Sequence, residues 1–120
     1  ALNKEIMGPK GKEWLMKWLP SRSYDNNVFT VFSNGVGIDG PEVRPGLSMI
    51  IDPEGLVIAE TNKAGNDMVC ADLYKEARAE SLPSSHVAAR RPSLYGKIAE
   101  PVEEVDTREL RNKVSGETID

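Results

Sequence analysis

The chain has 120 residues, of which 39% are hydrophobic and 28% charged, and its formal net charge is −4. This composition predicts one modest globular domain, gives no electrostatic reason to expect nucleic-acid binding, and contains no apolar run of the roughly 18 residues that a membrane helix needs. The single cysteine excludes an internal disulfide framework and favours a reducing, cytoplasmic setting.

The first predicted element is a helix from Lys12 to Leu19, because its apolar residues recur at helical spacing. Pro20 is expected to end or kink this helix, and residues 21–27 continue as a second helical piece. Trp14 and Trp18 lie on one face of the helix. They form either an exposed aromatic binding patch or a cover for a sheet, and the second reading is favoured.

A first strand is predicted from Val28 to Ser33, where the residues are largely β-branched or aromatic. The following segment, Asn34 to Pro41, has four glycine or proline residues in eight and predicts a flexible loop or a set of tight turns. The Gly35–Gly37 run could suggest a phosphate loop, but no Gly-Lys-Ser/Thr sequence follows it. A pocket rim or a plain connection is the favoured interpretation.

The strongest local signal is a hairpin formed by Leu47–Ile51 and Leu56–Glu60 around the tetrapeptide Asp-Pro-Glu-Gly at 52–55. Gly55 can take the positive φ that such a turn needs. A further strand is predicted from Met68 to Leu73. Together these segments predict an α+β fold, with a mainly antiparallel sheet of about four strands covered by helices.

The carboxy-terminal third is predicted to be helical in three places. Tyr74–Glu80 is expected to form a short helix, and Pro83–Arg91 another with a serine as its N-cap. Residues 101–120 form an acidic tail in which Asp106–Val114 has the pattern of an amphipathic helix. We expect residues 1–100 to form the folded domain and the tail to be a mobile end by default.

The residues that could perform chemistry form no complete catalytic group. Cys70 lies inside a predicted strand, which indicates a buried and inert thiol. His86 is the only histidine and is expected on a helix surface, so a metal site with two histidines is impossible. No two carboxylates have spacing that marks an acid–base pair. The sequence therefore predicts no metal site and no cofactor.

One pattern runs through several segments in order, over about residues 8–98. It begins in a helix-to-strand run and continues in the following strand pair, at Arg22, Asp25, Asn26, Asn34, Gly37, Gly46, Ser48, Ile50, Pro53, Gly55 and Ala59. Ala71–Leu73 and Arg90–Tyr95 complete it. This pattern resembles the carbon–nitrogen hydrolases of the nitrilase superfamily, in which a strand and a helical segment come at the last two places. Asp25 stands where the family usually has Glu.

This resemblance implies a four-layer αββα sandwich whose protomers associate through helices. It also implies hydrolysis of a small amide, carbamoyl compound or nitrile by a Glu base, a Lys and a Cys that forms an acyl-thioester. In the family all three precede the helix predicted at Lys12, so the chain resembles the carboxy-terminal half of an amidase-like member. No catalytic residue is carried over, and Cys70 does not match the nucleophile. Asn34 and Gly35 are the candidate pocket rim.

Such a half would leave apolar surface and strand edges uncovered, so we expect it to associate with itself or with an amino-terminal piece. The main alternative is a non-catalytic scaffold or interaction module, whose Trp14/Trp18 face and open sheet edge bind a partner. A weaker third hypothesis is an unrelated small α/β ligand-binding domain.

Overall fold

The computed structural model describes residues 6–115, and side chains as far as Arg111. The chain divides into two compact units, Ala1–Arg90 and Arg91–Asp120. The described helices are α1 (Lys12–Met16), α2 (Leu19–Asn26), α3 (Glu76–Glu80), α4 (Pro83–Ala88) and α5 (Thr107–Ser115). The described strands are β1 (Thr30–Phe32), β2 (Val36–Asp39), β3 (Glu42–Pro45), β4 (Met49–Ile51) and β5 (Val57–Glu60). The presence of helices and antiparallel strands confirms the α+β class.

The helix predicted from Lys12 to Leu19 is in fact broken before the proline. α1 ends at Met16, and α2 begins at Leu19 with Pro20 in its first turn. Proline suits that position because its fixed φ is helical and its missing N–H would have no partner there anyway. Pro20 therefore starts the second helix instead of ending the first. α2 ends at Asn26, and Asn27 caps it with a left-handed φ of 53°.

The first unit contains a three-stranded antiparallel sheet in the order β1–β4–β5. The predicted hairpin is confirmed, since β4 pairs with β5 across residues 52–55. Its turn is held by Asp52, whose Oδ1 accepts hydrogen bonds from the backbone N–H groups of Glu54 and Leu56, each at 2.9 Å. Gly55 has the predicted positive φ, at +79°. The β4–β5 register shifts between Ile50 and Ile51, which indicates a bulge.

The segment predicted as a flexible loop or tight turns forms a second hairpin instead. β2 and β3 pair antiparallel, with Val36 opposite Pro45 at one end and Asp39 opposite Glu42 at the other. Gly40, with φ of +58°, lies at the first of the two loop residues, where primed hairpin turns require positive φ. The described sheet is therefore one of three strands with a separate two-stranded ribbon, and the expectation of one sheet of about four strands is wrong.

The hydrophobic core lies between the first two helices and one face of the sheet. Its buried cluster contains Leu15 and Leu19 from the helical region together with Leu47, Met49 and Ile51 from the sheet region. Trp18, Phe32, Val57 and Ile6 pack around this cluster. The face of the sheet that packs against α1 and α2 is thus well covered. This packing fixes the positions of the two helices.

The opposite face of the sheet is less well covered. Val31, Ile50 and Ala59 are directly opposite one another across the three strands and so share that face. Ile50 is buried but lies outside the core cluster, while Val31 is 67% exposed. The central strand β4 is apolar and buried on both faces. This is the pattern of a strand between two layers, whereas only one layer is fully present in the described residues.

The strand predicted from Met68 to Leu73 is not formed. No strand is formed by these residues, and Cys70 is exposed, so the expectation of a buried thiol is wrong as well. A strand needs a hydrogen-bonding neighbour, because β propensity acts through packing and pairing. The sheet described here ends at β1 and β5, and neither edge pairs with this segment.

Helices α3 and α4 are close to their predicted positions and are attached to α2 through Asn27. Asn27 donates from Nδ2 to the carbonyl of Arg78 at 3.0 Å and accepts at Oδ1 from the Ser81 hydroxyl at 2.7 Å. The predicted serine N-cap of α4 is wrong, since Leu82 occupies that position with no side-chain cap. The backbone N–H of Leu82 itself donates to the Glu54 carboxylate at 2.7 Å.

The second unit, considered by itself, contains two 3₁₀ turns, Pro92–Leu94 and Gly96–Ala99, and the helix α5. The helix predicted at Asp106–Val114 is therefore confirmed within a residue at each end. Asp106 Oδ1 accepts the backbone N–H of Arg108 at 2.8 Å. Among the residues that the structure describes, no helix is long and apolar enough to span a membrane.

Candidate functional site

An open cleft of about 870 Å³ lies in the first unit, between the α1–α2 helices and the β2–β3 hairpin. Helical residues line one side, and residues of β3 such as Val43 and Pro45 line the other. The floor includes Phe32 at the end of β1. Small-molecule sites typically have volumes of about 300–1,000 Å³ and mostly apolar walls. By size and lining, this cleft is the best candidate site in the described part of the chain.

The helical wall of the cleft is aromatic. Trp14 and Trp18 pack edge to face, with ring centroids 5.2 Å apart and an interplanar angle of 68°. Trp14 is 51% exposed, whereas Trp18 packs against the core cluster. Each of the two interpretations made from the sequence therefore applies to one ring. Trp18 helps to cover the sheet, and Trp14 presents an aromatic surface to the cleft.

The indole nitrogen of Trp18 does not serve this cleft. Its Nε1 is buried and has no hydrogen-bond partner among residues 6–115. An unpaired buried donor destabilises a fold by about 1–3 kcal/mol. Because the atom is shielded from solvent, a molecule entering the cleft would meet the apolar part of the Trp18 ring.

Asn34 is positioned in the cleft by two hydrogen bonds. Its backbone N–H donates to the Ser48 hydroxyl at 3.1 Å, and its Oδ1 accepts the Gly35 N–H at 2.9 Å. The Gly35 carbonyl in turn accepts the Gly46 N–H at 2.9 Å, which closes the base of the hairpin. Asn34 is thus one of the residues lining the cleft, whereas Gly35 supports it from outside the lining. The Nδ2 group of Asn34 has no partner within the described chain.

The charge on the hairpin side of the cleft is largely compensated. Arg44 lines the cleft, and its guanidinium contacts Glu42 at 2.9 Å and Asp39 at 3.1 Å. All three side chains are exposed, so each contact is worth little to stability. Their effect on binding is clearer, since two carboxylates reduce the attraction of Arg44 for an anionic ligand.

The other residues of the matched sequence pattern lie outside this cleft. Arg22, Asp25 and Asn26 are exposed on α2, where Asn26 Nδ2 donates to the Arg22 carbonyl at 2.9 Å. Gly46 is buried with φ of +72°. Pro53 is fully buried in the β4–β5 turn. Of the matched positions outside the cleft, Ser48 is the one whose side chain reaches a cleft residue, through the backbone N–H of Asn34.

A second cavity of about 550 Å³ contains the ion pair of Lys12 and Glu60, whose Nζ and Oε2 atoms are 2.6 Å apart. A lysine beside a carboxylate could take part in amide chemistry only with a nucleophile nearby. Cys70, the only cysteine of the chain, is absent from the described lining of both cavities. No group of three or more potential metal ligands occurs among residues 6–115. The described residues therefore contain no complete Cys–Glu–Lys arrangement.

Sequence reasoning missed the hairpin side of the cleft. Val43, Arg44 and Pro45 gave no site signal, because the glycine-rich segment before them was interpreted as a loop. The available signal was the Gly40–Pro41 pair between two short runs containing β-branched residues. With the hairpin recognised, these residues would have been placed opposite Asn34.

Comparison with known proteins gives two findings. Residues 4–80, more than half of the chain, match the family described as carbon-nitrogen hydrolase. A Staphylococcus aureus protein named "Hydrolase in agr operon" is 32% identical over a 68-residue alignment that covers 54% of this chain and 26% of that protein. The match thus spans about a quarter of the length of that relative. On the extent of the family match, the chain belongs to the carbon–nitrogen hydrolase family of the nitrilase superfamily.

Proposed function

We propose that this chain is the carboxy-terminal part of an amidase-like carbon–nitrogen hydrolase that cleaves an amide, carbamoyl or nitrile group of a small molecule. The observation that carries the proposal is the family match over residues 4–80, combined with coverage of only 26% of the hydrolase relative. Residues 1–100 belong to the hydrolase domain in this proposal, and residues 101–120 form an acidic tail.

The incompletely covered sheet face supports the same proposal. Val31 is 67% exposed on a face where the neighbouring Ile50 is buried. A second sheet packed on that face would produce the four-layer αββα arrangement, with helices on the outside of both sheets. We therefore assign the described sheet to one half of such a sandwich.

The chemistry in this proposal uses groups from the rest of the enzyme. A cysteine thiolate attacks the substrate carbonyl or nitrile carbon, a lysine stabilises the tetrahedral intermediate, and a glutamate transfers the protons. Water then hydrolyses the acyl-thioester. This chain contributes part of the substrate cleft through Asn34 and no catalytic group. Cys70 is exposed and lines neither cavity, so we assign it no part in the reaction.

The proposal also concerns setting and assembly. The single cysteine is consistent with a reducing cytoplasm. The exposed Val31 and the outer edges of β1 and β5, which have no strand partner among the described residues, favour a homo-oligomer or association with an amino-terminal piece. The only substrate-type partner that we propose is a small amide, carbamoyl compound or nitrile.

Ammonia release from a panel of small amides, nitriles and N-carbamoyl compounds tests the proposal. The 120-residue chain and its Cys70→Ser variant should both show no turnover, while a longer polypeptide that continues upstream of Ala1 should be active. In that longer polypeptide Cys70→Ser should leave the rate unchanged. Turnover by the 120-residue chain that is lost in Cys70→Ser would show that the catalytic thiol lies here and would overturn the assignment.

The second candidate function is a non-catalytic interaction module, favoured by the exposed surfaces of Trp14 and Val31. The two functions differ in what the gene encodes. An upstream reading frame with Glu, Lys and Cys in family order supports the hydrolase. A start codon immediately before Ala1 supports the module.

A further inference from the structure

We propose that the cleft selects neutral amides that carry an aromatic ring, with the ring against Trp14 and the amide oxygen bound by Asn34. This inference rests on the proposed function, because it takes the 870 Å³ cleft to be the substrate site. It goes further by naming the substrate class, which nothing in the family match specifies.

The aromatic side of the proposal follows from how the two tryptophans are held. Trp18 packs against the core and fixes the neighbouring ring of Trp14 in an edge-to-face contact at 5.2 Å. Trp14 therefore offers an ordered ring surface while 51% of it remains exposed. Phe32 extends the aromatic lining at the floor. A flat aromatic group gains both apolar burial and ring–ring contact on such a wall.

The polar side follows from the hydrogen bonds of Asn34. Its Oδ1 already accepts the Gly35 N–H, and its backbone N–H is bound to Ser48. These contacts orient the carboxamide and leave its Nδ2 as a donor without a partner within residues 6–115. A donor in that state suits a carbonyl oxygen. Ser48 acts as a positioning residue, since it holds the backbone of Asn34 without lining the cleft.

The neutrality of the ligand follows from Arg44, since Lys10, the other cation of the cleft lining, already has an interaction of its own. Its guanidinium is engaged by Asp39 and Glu42, at 3.1 and 2.9 Å, on the hairpin that forms the far side of the cleft. An anionic ligand would compete with these carboxylates and would also be repelled by them. An uncharged amide avoids that competition while retaining an oxygen for Asn34.

Calorimetric titration with three probes tests the selection: phenylacetamide, propionamide and phenylacetate. Phenylacetamide should bind about threefold to tenfold more tightly than propionamide, as expected for one aromatic contact. It should also bind more tightly than phenylacetate. The two tryptophans of the chain both line the cleft, so shifts of their indole N–H resonances locate the binding. Equal affinity for the three probes, preference for the carboxylate or no binding would each overturn the inference.

Variants separate the two contacts. Trp14→Leu should remove the preference for phenylacetamide over propionamide, with Trp18 still reporting on the cleft. Asn34→Ala should weaken phenylacetamide binding about fivefold to tenfold, the usual value of one hydrogen bond. Asn34→Asp retains an oxygen for the Gly35 N–H but loses the free donor, so it should weaken binding as well. Asn66→Ala, at an exposed loop position, is the matched control and should bind like the wild type.

Unchanged affinity in both Asn34 variants would overturn the assignment of the amide oxygen. These binding results are independent of turnover. Selective binding by a chain whose longer form hydrolyses no amide would refute the proposed function, and the cleft would then bind aromatic amides without being a substrate site. Hydrolysis of amides by the longer form without a preference for aromatic amides would support the proposed function and overturn the proposed selectivity.

Discussion

Gly55 is a residue at which an added methyl group would meet both an unfavourable backbone conformation and close neighbours. Its φ is +79°, and a Cβ there would lie 3.2 Å from the Pro20 carbonyl oxygen and 3.6 Å from Tyr24 Cβ. A left-handed conformation in a non-glycine residue costs about 1–3 kcal/mol, and the backbone oxygen cannot move aside cheaply. Gly55→Ala should therefore lower the free energy of unfolding by about 1–3 kcal/mol, measured by urea denaturation.

Gly65→Ala is the control for this prediction. Its φ is not positive, and a Cβ there meets nothing within 4 Å. The substitution should leave stability unchanged or raise it slightly, because alanine restricts the unfolded chain. Equal urea midpoints for the two variants would mean that the turn tolerates a side chain and that Gly55 is not required there.

At the residue scale, local chemistry was predictable and burial was not. The Asp52–Gly55 turn could be derived from sequence because aspartate acceptance and glycine φ act within a few residues. The exposure of Cys70 could not, since it depends on whether a distant strand pairs with its segment. Asn34 could be identified from the sequence as a candidate residue of the pocket rim. Its hydrogen bond to Ser48 could not be predicted, because it also depends on how distant parts of the chain pack.

At the element scale, α5 is expected to lose its amino-terminal cap in acid. The backbone N–H of Arg108, followed by its guanidinium, holds the pKa of Asp106 below its usual value. A folded pKa below the unfolded one means that the carboxylate stabilises the helix above the unfolded pKa of about 3.9. This stabilisation is lost as the pH falls through the folded pKa, so the window lies below about pH 4.

The chemical shift of the Arg108 backbone amide measures this effect between pH 6 and pH 2. In the wild type it should move with an apparent pKa below that of an unstructured aspartate. Asp106→Asn keeps a side-chain oxygen as the cap acceptor but cannot titrate, so its Arg108 amide should lose this transition. A wild-type transition at the unperturbed aspartate pKa would contradict the capping hydrogen bond seen at 2.8 Å.

The elements that sequence predicted correctly are those whose partners are close in the chain. β4 and β5 pair across a short turn, and the helix at Thr107–Ser115 has its own periodicity and cap. The β2–β3 hairpin is also local, but its glycines concealed the alternation of apolar and polar residues that is typical of a strand. Met68–Leu73 has strand composition without a strand neighbour. Its pairing depends on surfaces that the described residues do not provide.

At the scale of the whole molecule, the sheet face around Val31 is the basis for expecting a larger assembly. All three residues of β4 are buried, but only Met49 and Ile51 belong to the core cluster beside the helices. Val31 lies next to Ile50 on the other face and is 67% exposed. Exposed apolar surface favours association because burying it removes it from water. The outer edge of β1, which has no strand partner among the described residues, adds backbone groups that a partner strand can bind.

We therefore expect the 120-residue chain to associate in solution and Val31→Lys to reduce that association. The lysine places a charge on the exposed sheet face and on an edge strand, so it opposes both face packing and edge pairing. Sedimentation velocity should give the wild type a mass above that of one chain and shift Val31→Lys toward the monomer. Met68→Lys adds the same charge at an exposed position outside the strands and should sediment like the wild type. A monomeric wild type, or equal shifts in both variants, would show that this sheet face is not the surface of association.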